Sequence, residues 1–223
     1  MMQKINIIYI IGAYDGTEVN YFLNRNYKVI AIDANPEYCN NIRNKFKEYI
    51  NNGKLVVINK ANAYGNETKF YISKHPDWCS CNIEIANRNQ KLKDTITVEC
   101  VNLQDIINEY GMPYYLRIDI EGNDYIAVDM LKDDKPKYIS CESECVGESN
   151  KTDEDITRVL NSLINKGYTK FKLVNGVSNI DMVMNSLFDN NEWQNESSFR
   201  EMLICRSKPI HDYTFWNDIL ATY

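Results

Sequence analysis

A glycine turn near the amino terminus and an acidic residue beyond it have the types and spacing of a nucleoside-binding site. The turn is GAYDG at residues 12–16, directly after an isoleucine-rich run. Asp33 follows about 20 positions later, at the end of KVIAID, where an acidic side chain accepts hydrogen bonds from ribose hydroxyls. The pattern predicts that an adenosine derivative binds here.

The glycine turn is unsuited to a dinucleotide. A dinucleotide fingerprint has glycine at the position of Tyr14, because the backbone must approach the pyrophosphate closely. Asp15 and Glu18 place negative charge at the start of the next helix, where backbone amides would otherwise bind a phosphate. A sulfonium cofactor without phosphate fits better. The alternative is that Gly12 and Gly16 only permit a tight turn between strand and helix.

A second acidic pattern follows two later β-rich runs. Asp119 and Glu121 lie in IDIEG, and Glu142 and Glu144 lie in SCESE. Because the carboxyl ends of parallel strands meet at one edge of a sheet, these carboxylates are candidate general acids and bases. Glu121 could instead cap a helix. Four converging carboxylates could also bind Mg²⁺, although a metal is not the favoured interpretation.

The two histidines and several aromatic residues are further candidates. His75 and His211 could each act as a general base, although an ordinary surface position is the default for both. Trp193, Phe215 and Trp216 could form a lid that stacks on a sugar, whereas core packing is the alternative.

Alternating strands and helices would bring these residues together. The chain reads as strand, helix, strand, helix, strand from residue 5 to residue 59, with the second helix predicted over residues 36–52. The alternation resumes after residue 101, with the fourth strand predicted over residues 114–120. Residues 66–101 interrupt it with two extended segments, which predict a β-hairpin insertion. We therefore predict an α/β fold with a Rossmann-like, doubly wound, mostly parallel seven-stranded sheet, helices on both faces, and a single domain over residues 1–223.

Composition limits the partners. The chain has 223 residues and a formal net charge of −6, which gives no general attraction to nucleic acid or anionic lipid. The first apolar run is short and lacks a basic leader, so we expect no membrane span and a cytoplasmic location. Seven scattered cysteines favour reduced thiols. The oligomeric state is left open.

Several motifs resemble FkbM-type methyltransferases. The pair IIGAYDGTEV and VIAIDANPEYCNNI is similar to the family's glycine turn and its acidic strand end followed by Asn-Pro, and YLRIDIEGNDYIAVDML resembles its Lys-Ile-Asp-x-Glu-Gly block. The resemblance spans residues 8–176 and implies O-methylation, commonly of sugar hydroxyls in glycans or secondary metabolites, with S-adenosylmethionine as donor. The predicted cofactor residues are Gly12, Ala13, Tyr14, Asp15, Gly16, Thr17, Asp33, Ala34, Asn35, Ala61, Asn62 and Asp119, and the predicted catalytic residues are Asp119, Glu121 and Glu142.

Ile10 and Leu220 are among the positions that depart from the family pattern. Ile10 replaces an acidic residue that helps to hold the methionine amino group, so Asp15, Asp119 or a backbone carbonyl must take that role. Leu220 replaces a histidine in the closing motif FWNDILA, and no role is carried over for it. Two other functions stay open, namely a nucleic-acid methyltransferase and a module that binds the cofactor without turnover.

Overall fold

The computed structural model describes residues 6–143, 152–175, 180–189, 191–207 and 217–223. Glu144, His211, Phe215 and Trp216, which the sequence offered as candidates, lie outside the described residues. A helix with the length and apolar character of a membrane span is absent from the described residues. All cysteines of the described residues are free thiols.

The main sheet has seven strands, as predicted. Its spatial order is β3-β2-β1-β7-β8-β10-β9, and every strand is parallel to its neighbours except β10, which runs antiparallel to both β8 and β9. The strands are β1 (Ile7–Ile11), β2 (Lys28–Asp33), β3 (Leu55–Asn59), β7 (Tyr115–Ile118), β8 (Tyr138–Glu142), β9 (Lys170–Asn175) and β10 (Asn217–Thr222).

Helices cover both faces of this sheet, which confirms the doubly wound arrangement. The helices are α1 (Thr17–Asn24), α2 (Pro36–Lys45), α3 (Lys47–Asn51), α4 (Ile83–Ala86), α5 (Leu103–Tyr110), α6 (Asp124–Asp129), α7 (Asp153–Asn165), α8 (Ile180–Phe188) and α9 (Glu196–Ser207). In β1, Ile8 and Ile10 pack with α1, α2 and α8, whereas Tyr9 and Ile11 pack with α5, α6, α7 and α9. Both faces of this strand are therefore buried, which explains its continuous apolar sequence.

The insertion at residues 66–101 contains the predicted hairpin. Strands β5 (Glu67–Ser73) and β6 (Leu92–Val101) pair antiparallel, and the short β4 (Ala61–Asn62) joins β6 to complete a three-stranded sheet. Between the hairpin strands lie a 3-10 helix at Pro76–Trp78, α4 and a second 3-10 turn at Arg88–Gln90.

Three details differ from the sequence interpretation. The single helix predicted over residues 36–52 is divided at Phe46, whose φ of −118° is not helical. The strand predicted over 114–120 ends at Ile118, so residues 119–120 leave the sheet. The seventh strand, which the sequence did not locate, is β10 near the carboxyl terminus.

The direction in which strands are added reverses at β1: β2 and β3 lie on one side of it, and β7 and β8 lie on the other. In open α/β sheets, ligands bind outside the carboxyl ends of the strands at such a point, because the connections leave it in opposite directions and open a crevice. Both predicted acidic patterns follow strands that end at this edge.

Candidate active site

The glycine turn lies where three strands come close together. Gly12 donates its backbone N–H to the carbonyl of Ile32 at 2.8 Å, and Asp119 donates its backbone N–H to the carbonyl of Ile11 at 2.9 Å. Gly12 has a φ of +90°, and a Cβ there would lie 1.8 Å from the carbonyl oxygen of Asp119. Chain packing alone thus requires glycine at this position.

Asp33 ties the end of β2 to this turn. Its Oδ2 accepts the backbone N–H of Tyr14 and its Oδ1 accepts that of Asn35, each at 2.8 Å. Burial raises the pKa of Asp33 to about 6, although the backbone donors act in the opposite direction. A carboxylate oxygen can accept more than one hydrogen bond, so Asp33 can hold the turn and still accept from a ligand.

A first pocket opens between the glycine turn and the insertion. Several predicted cofactor residues lie outside its wall. Asp15 accepts hydrogen bonds from the backbone N–H and hydroxyl of Thr17, and the Asn35 side chain caps α2. Ala13 is buried in the core, and Gly16 packs against α2. The predicted residues that line the first pocket are Gly12, Tyr14, Asp33, Ala34, Ala61, Asn62 and Asp119.

The sequence interpretation missed the opposite wall of the first pocket. Tyr38 from α2 packs edge-to-face on Tyr14, with ring centroids 5.0 Å apart, and its hydroxyl donates to the carbonyl of Pro76 at 3.2 Å. The polar stretch of the insertion around Trp78 was the sequence feature that could have indicated this wall. Its residues on this wall are Pro76, Asp77, Cys79 and Cys81, joined by Phe70 of β5.

Asn62 lines the first pocket and carries an unsatisfied acceptor. Its Nδ2 donates to the carbonyl of Val101 at 3.1 Å, which fixes the amide orientation. Its Oδ1 is buried and has no hydrogen-bond partner among the described residues. Because a buried oxygen without a donor costs free energy, this atom suits a ligand N–H.

The predicted catalytic carboxylates come together beside the first pocket. Asp119, Glu121 and Glu142 each contribute an oxygen to a group whose members all lie within 4.8 Å of one another. They line a second pocket, whose other walls bring in residues from the insertion, β7 and β10. Asp77, Asp119 and Glu121 line both pockets and form a shared wall; the other residues of the second pocket are His75, Trp78, Arg117, Glu142 and Asp218.

The backbone after β7 aims Glu121 at this wall. Glu121 and Gly122 have φ values of +54° and +87°, and the Ser80 hydroxyl of the insertion donates to the carbonyl of Glu121 at 2.7 Å. Helix α6 begins after Asn123 with no side-chain capping hydrogen bond, so Glu121 does not cap it. Glu121 is not used for helix capping, and it lines both pockets.

A buried carboxylate that the sequence interpretation missed holds the two acidic segments together. Asp124 is fully buried, and it accepts the backbone N–H groups of Ile120 at 3.2 Å and Glu142 at 3.0 Å. Burial and the charge of Asp119 raise the pKa of Asp124 to about 8. Burial and the same charge also raise the pKa values of Glu121 and Glu142 above their ordinary range.

A family comparison decides the class of protein. The methyltransferase FkbM domain matches residues 11–170 of this chain. The chain belongs to the FkbM methyltransferase family. Membership makes it a methyltransferase that uses S-adenosylmethionine, as predicted. No curated protein sequence matches the chain.

The solved structures to which the chain is similar are distant in sequence. Precorrin-6y C5,15-methyltransferase from Geobacter metallireducens is 12% identical, with 97% of this chain and 78% of that chain covered and a TM-score of 0.45. An O-methyltransferase from Bacillus cereus is 12% identical, with coverages of 98% and 74% and a TM-score of 0.46. A methyltransferase from Archaeoglobus fulgidus is 10% identical, with coverages of 99% and 87% and a TM-score of 0.47.

The departures at Ile10 and Leu220 lie in the core of this FkbM methyltransferase. Ile10 and Leu220 are 1% and 0% exposed, and both pack in the cluster that includes α1 and α8. Neither residue lines the first pocket. Since Asp15 is engaged with Thr17, Asp119 is the predicted alternative that lines the first pocket.

The aromatic candidates lie in different places in the methyltransferase. His75 stacks on Trp78 with ring centroids 4.3 Å apart, and its Nδ1 lies 3.7 Å from Oδ2 of Asp77. All three residues line the second pocket. Trp193 instead donates to the carbonyl of Asp189 at 3.0 Å and packs against the core, as its alternative interpretation had it.

Proposed function

We propose that this FkbM methyltransferase transfers a methyl group from S-adenosylmethionine in the first pocket to a sugar hydroxyl in the second pocket. The observation that carries the proposal is the shared wall of Asp77, Asp119 and Glu121. Methyl transfer is an in-line displacement, so the acceptor oxygen must lie next to the methyl group. Two adjacent pockets with common lining residues would bring the acceptor oxygen close to the methyl group.

Three side chains would hold the cofactor. Asp33 would accept hydrogen bonds from the ribose hydroxyls, in addition to the backbone groups that it already binds. The unpaired Oδ1 of Asn62 would accept an N–H of the adenine 6-amino group. Asp119 would bind the methionine amino group, because the family's usual acidic residue is replaced by Ile10 in the core.

Glu121 and Glu142 would remove the proton of the acceptor hydroxyl. A sugar hydroxyl is a very weak acid, so a positioned base lowers the barrier. The two carboxylates accept no hydrogen bond from any described residue, and their raised pKa values make them stronger bases than ordinary glutamates. Asp119 is the weaker candidate base, because Arg117 donates to its Oδ2 at 2.9 Å.

The second pocket has groups that suit a carbohydrate. Carboxylates accept hydrogen bonds from several hydroxyls at once, and Trp78 offers an apolar edge against which a sugar ring can pack. Its walls also carry five carboxylates, which would repel a phosphate backbone. A sugar acceptor is therefore favoured over nucleic acid.

A methyl-transfer screen with labelled S-adenosylmethionine tests the proposal. The panel contains methyl glycosides, oligosaccharides, nucleotide sugars and a structured RNA. We expect label in a carbohydrate, a large loss in Trp78→Ala and little change in the control Trp193→Phe. Label in RNA alone would identify a nucleic-acid methyltransferase, and cofactor binding with no labelled product would identify a binding module.

The same assay tests the metal alternative. Carboxylates that approach within 4.8 Å could share Mg²⁺ in place of a proton. Turnover that is lost in chelator and restored by Mg²⁺ would assign the carboxylates to a metal. Full turnover in chelator would leave the proton-transfer role.

A further inference from the structure

Arg117 is a buried cation in the middle of the central strand β7. Its strand neighbours are Ile10 of β1 and Ser140 of β8, and neither carries a charge. The Arg117 side chain is only 9% exposed. Burying a guanidinium is costly unless carboxylates pair with it, so its partners show what the side chain does here.

Three carboxylates from separate parts of the chain surround this guanidinium. Nη1 lies 2.7 Å from Asp218 of β10, and Nη2 lies 2.9 Å from Asp119 on the shared wall. Nε forms an ion pair at 3.4 Å, without a hydrogen bond, with Glu18 of α1, the helix that follows the glycine turn. One side chain thus connects the cofactor turn, the shared wall and the second pocket.

The Arg117 guanidinium also opposes the electrostatic repulsion between Asp119 and the two neighbouring glutamates. Oxygens of Glu121 and Glu142 lie within 4.8 Å of an oxygen of Asp119, and like charges at this distance push the side chains apart. A planar guanidinium fixes the direction as well as the distance of the carboxylate that it binds. Arg117 therefore holds Asp119 against its acidic neighbours.

We infer that Arg117 is a positioning residue for methyl transfer, which acts by holding Asp119 on the shared wall and linking that wall to the cofactor turn through Glu18. The inference rests on the proposed roles of the two pockets. Lys172 provides a contrast, because this buried cation of β9 donates to the carbonyls of Ser186 and Asp189 at the end of α8 and lines neither pocket.

The test separates positioning from stability. Arg117→Met leaves three carboxylates without their cation and should unfold at a lower temperature. Arg117→Met combined with Asp218→Asn removes one buried anion and should recover part of that stability. Arg117→Lys keeps the positive charge but lacks the planar guanidinium that binds carboxylates in a fixed direction. The controls are Asp218→Asn and Lys172→Met.

Two measurements follow on these variants. Hydrogen exchange is measured on peptides that cover residues 12–18 and 118–123, because local opening exposes these amides. Turnover is measured with the carbohydrate that the wild-type protein labels in the panel. In the double variant we expect exchange and kcat to change by about tenfold or more relative to Asp218→Asn alone, with intermediate values in Arg117→Lys.

The inference is overturned if the double variant matches Asp218→Asn in both exchange and kcat. Equal losses in Lys172→Met would also overturn it, because any buried cation would then have the same effect. Failure of the proposed function is a separate result, since the wild-type protein would label no carbohydrate. Exchange would still decide the role of Arg117 in that case.

Discussion

The two pockets solve the problem of buried negative charge in different ways. In the first pocket, Asp33 receives a backbone N–H on each oxygen, so its charge is balanced by the same turn that it orders. In the second pocket, Glu121 and Glu142 face Asp119 and accept no hydrogen bond from the described residues. The charge in the first pocket is balanced before a ligand arrives. In the second pocket, a proton, a cation or a ligand hydroxyl is still needed to balance the charge of the carboxylates. Fixed binding and proton transfer call for these two different environments.

The largest expected effect is on turnover, from changes in the second pocket. Glu121→Gln and Glu142→Gln remove a base and should lower kcat by about a hundredfold or more in the residue that takes the proton. Glu142 does not line the first pocket, so its variant should bind S-adenosylmethionine normally in calorimetry. Glu84→Gln, on an exposed position of the insertion, is the matched control.

The two glutamate variants also identify the base. A loss of kcat in one variant alone assigns the base to that residue, and equal losses indicate a shared proton. Normal turnover in both would remove the acidic pair from the chemistry and make His75 the next candidate.

A smaller effect is expected on binding, from a change in the first pocket. Asp33→Asn should weaken S-adenosylmethionine binding by about 1 to 3 kcal/mol, because an amide replaces one acceptor oxygen with a donor. The same change puts this donor against a backbone N–H, so the ligand-free protein should also be less stable. Asp133→Asn on the exposed surface is the control. Unchanged affinity would place the ribose away from Asp33.

Local sequence patterns were sufficient to predict the main residues of the first pocket, but they were insufficient to predict all those of the second. Gly12 and Asp33 are recognisable because one strand, one turn and the next strand place them together. Asp218 reaches Arg117 only because β10 returns antiparallel between β8 and β9, and no short-range pattern encodes that pairing. The arginine in the middle of the apolar run YYLRIDI was the sequence feature that could have indicated this role of Arg117, since an unpaired cation is rarely buried.

The insertion gives the same lesson for aromatic residues. His75 and Trp78 reach the second pocket because the Ser80 hydroxyl anchors their segment to the backbone of Glu121. That contact joins positions about 40 residues apart and depends on the hairpin geometry, which the sequence indicated only as two extended segments. Trp193, in the more conspicuous aromatic region, packs against the core instead.

The smallest expected effect is a pH dependence that has opposite signs for stability and for binding. The pKa of Asp33 is about 6 and that of Asp124 about 8, both above the value near 3.9 of an unfolded aspartate. Between about pH 4 and pH 8, the folded protein therefore binds more protons than the unfolded chain. Its stability falls as pH rises through this window, so the ligand-free melting temperature should rise when the pH is lowered from about 8 to about 6.

Binding should respond in the other direction. Protonation removes the charge with which Asp33 accepts the ribose hydroxyls, so affinity for S-adenosylmethionine should fall by about tenfold between about pH 8 and pH 5. Calorimetry at the two pH values measures this change, and scanning fluorimetry without ligand measures the stability. In Asp33→Asn the affinity should no longer follow pH, whereas the stability trend due to Asp124 should persist. If affinity follows pH equally in the variant, the titrating group belongs to the second pocket, and the division between an organised pocket and a proton-accepting pocket is wrong.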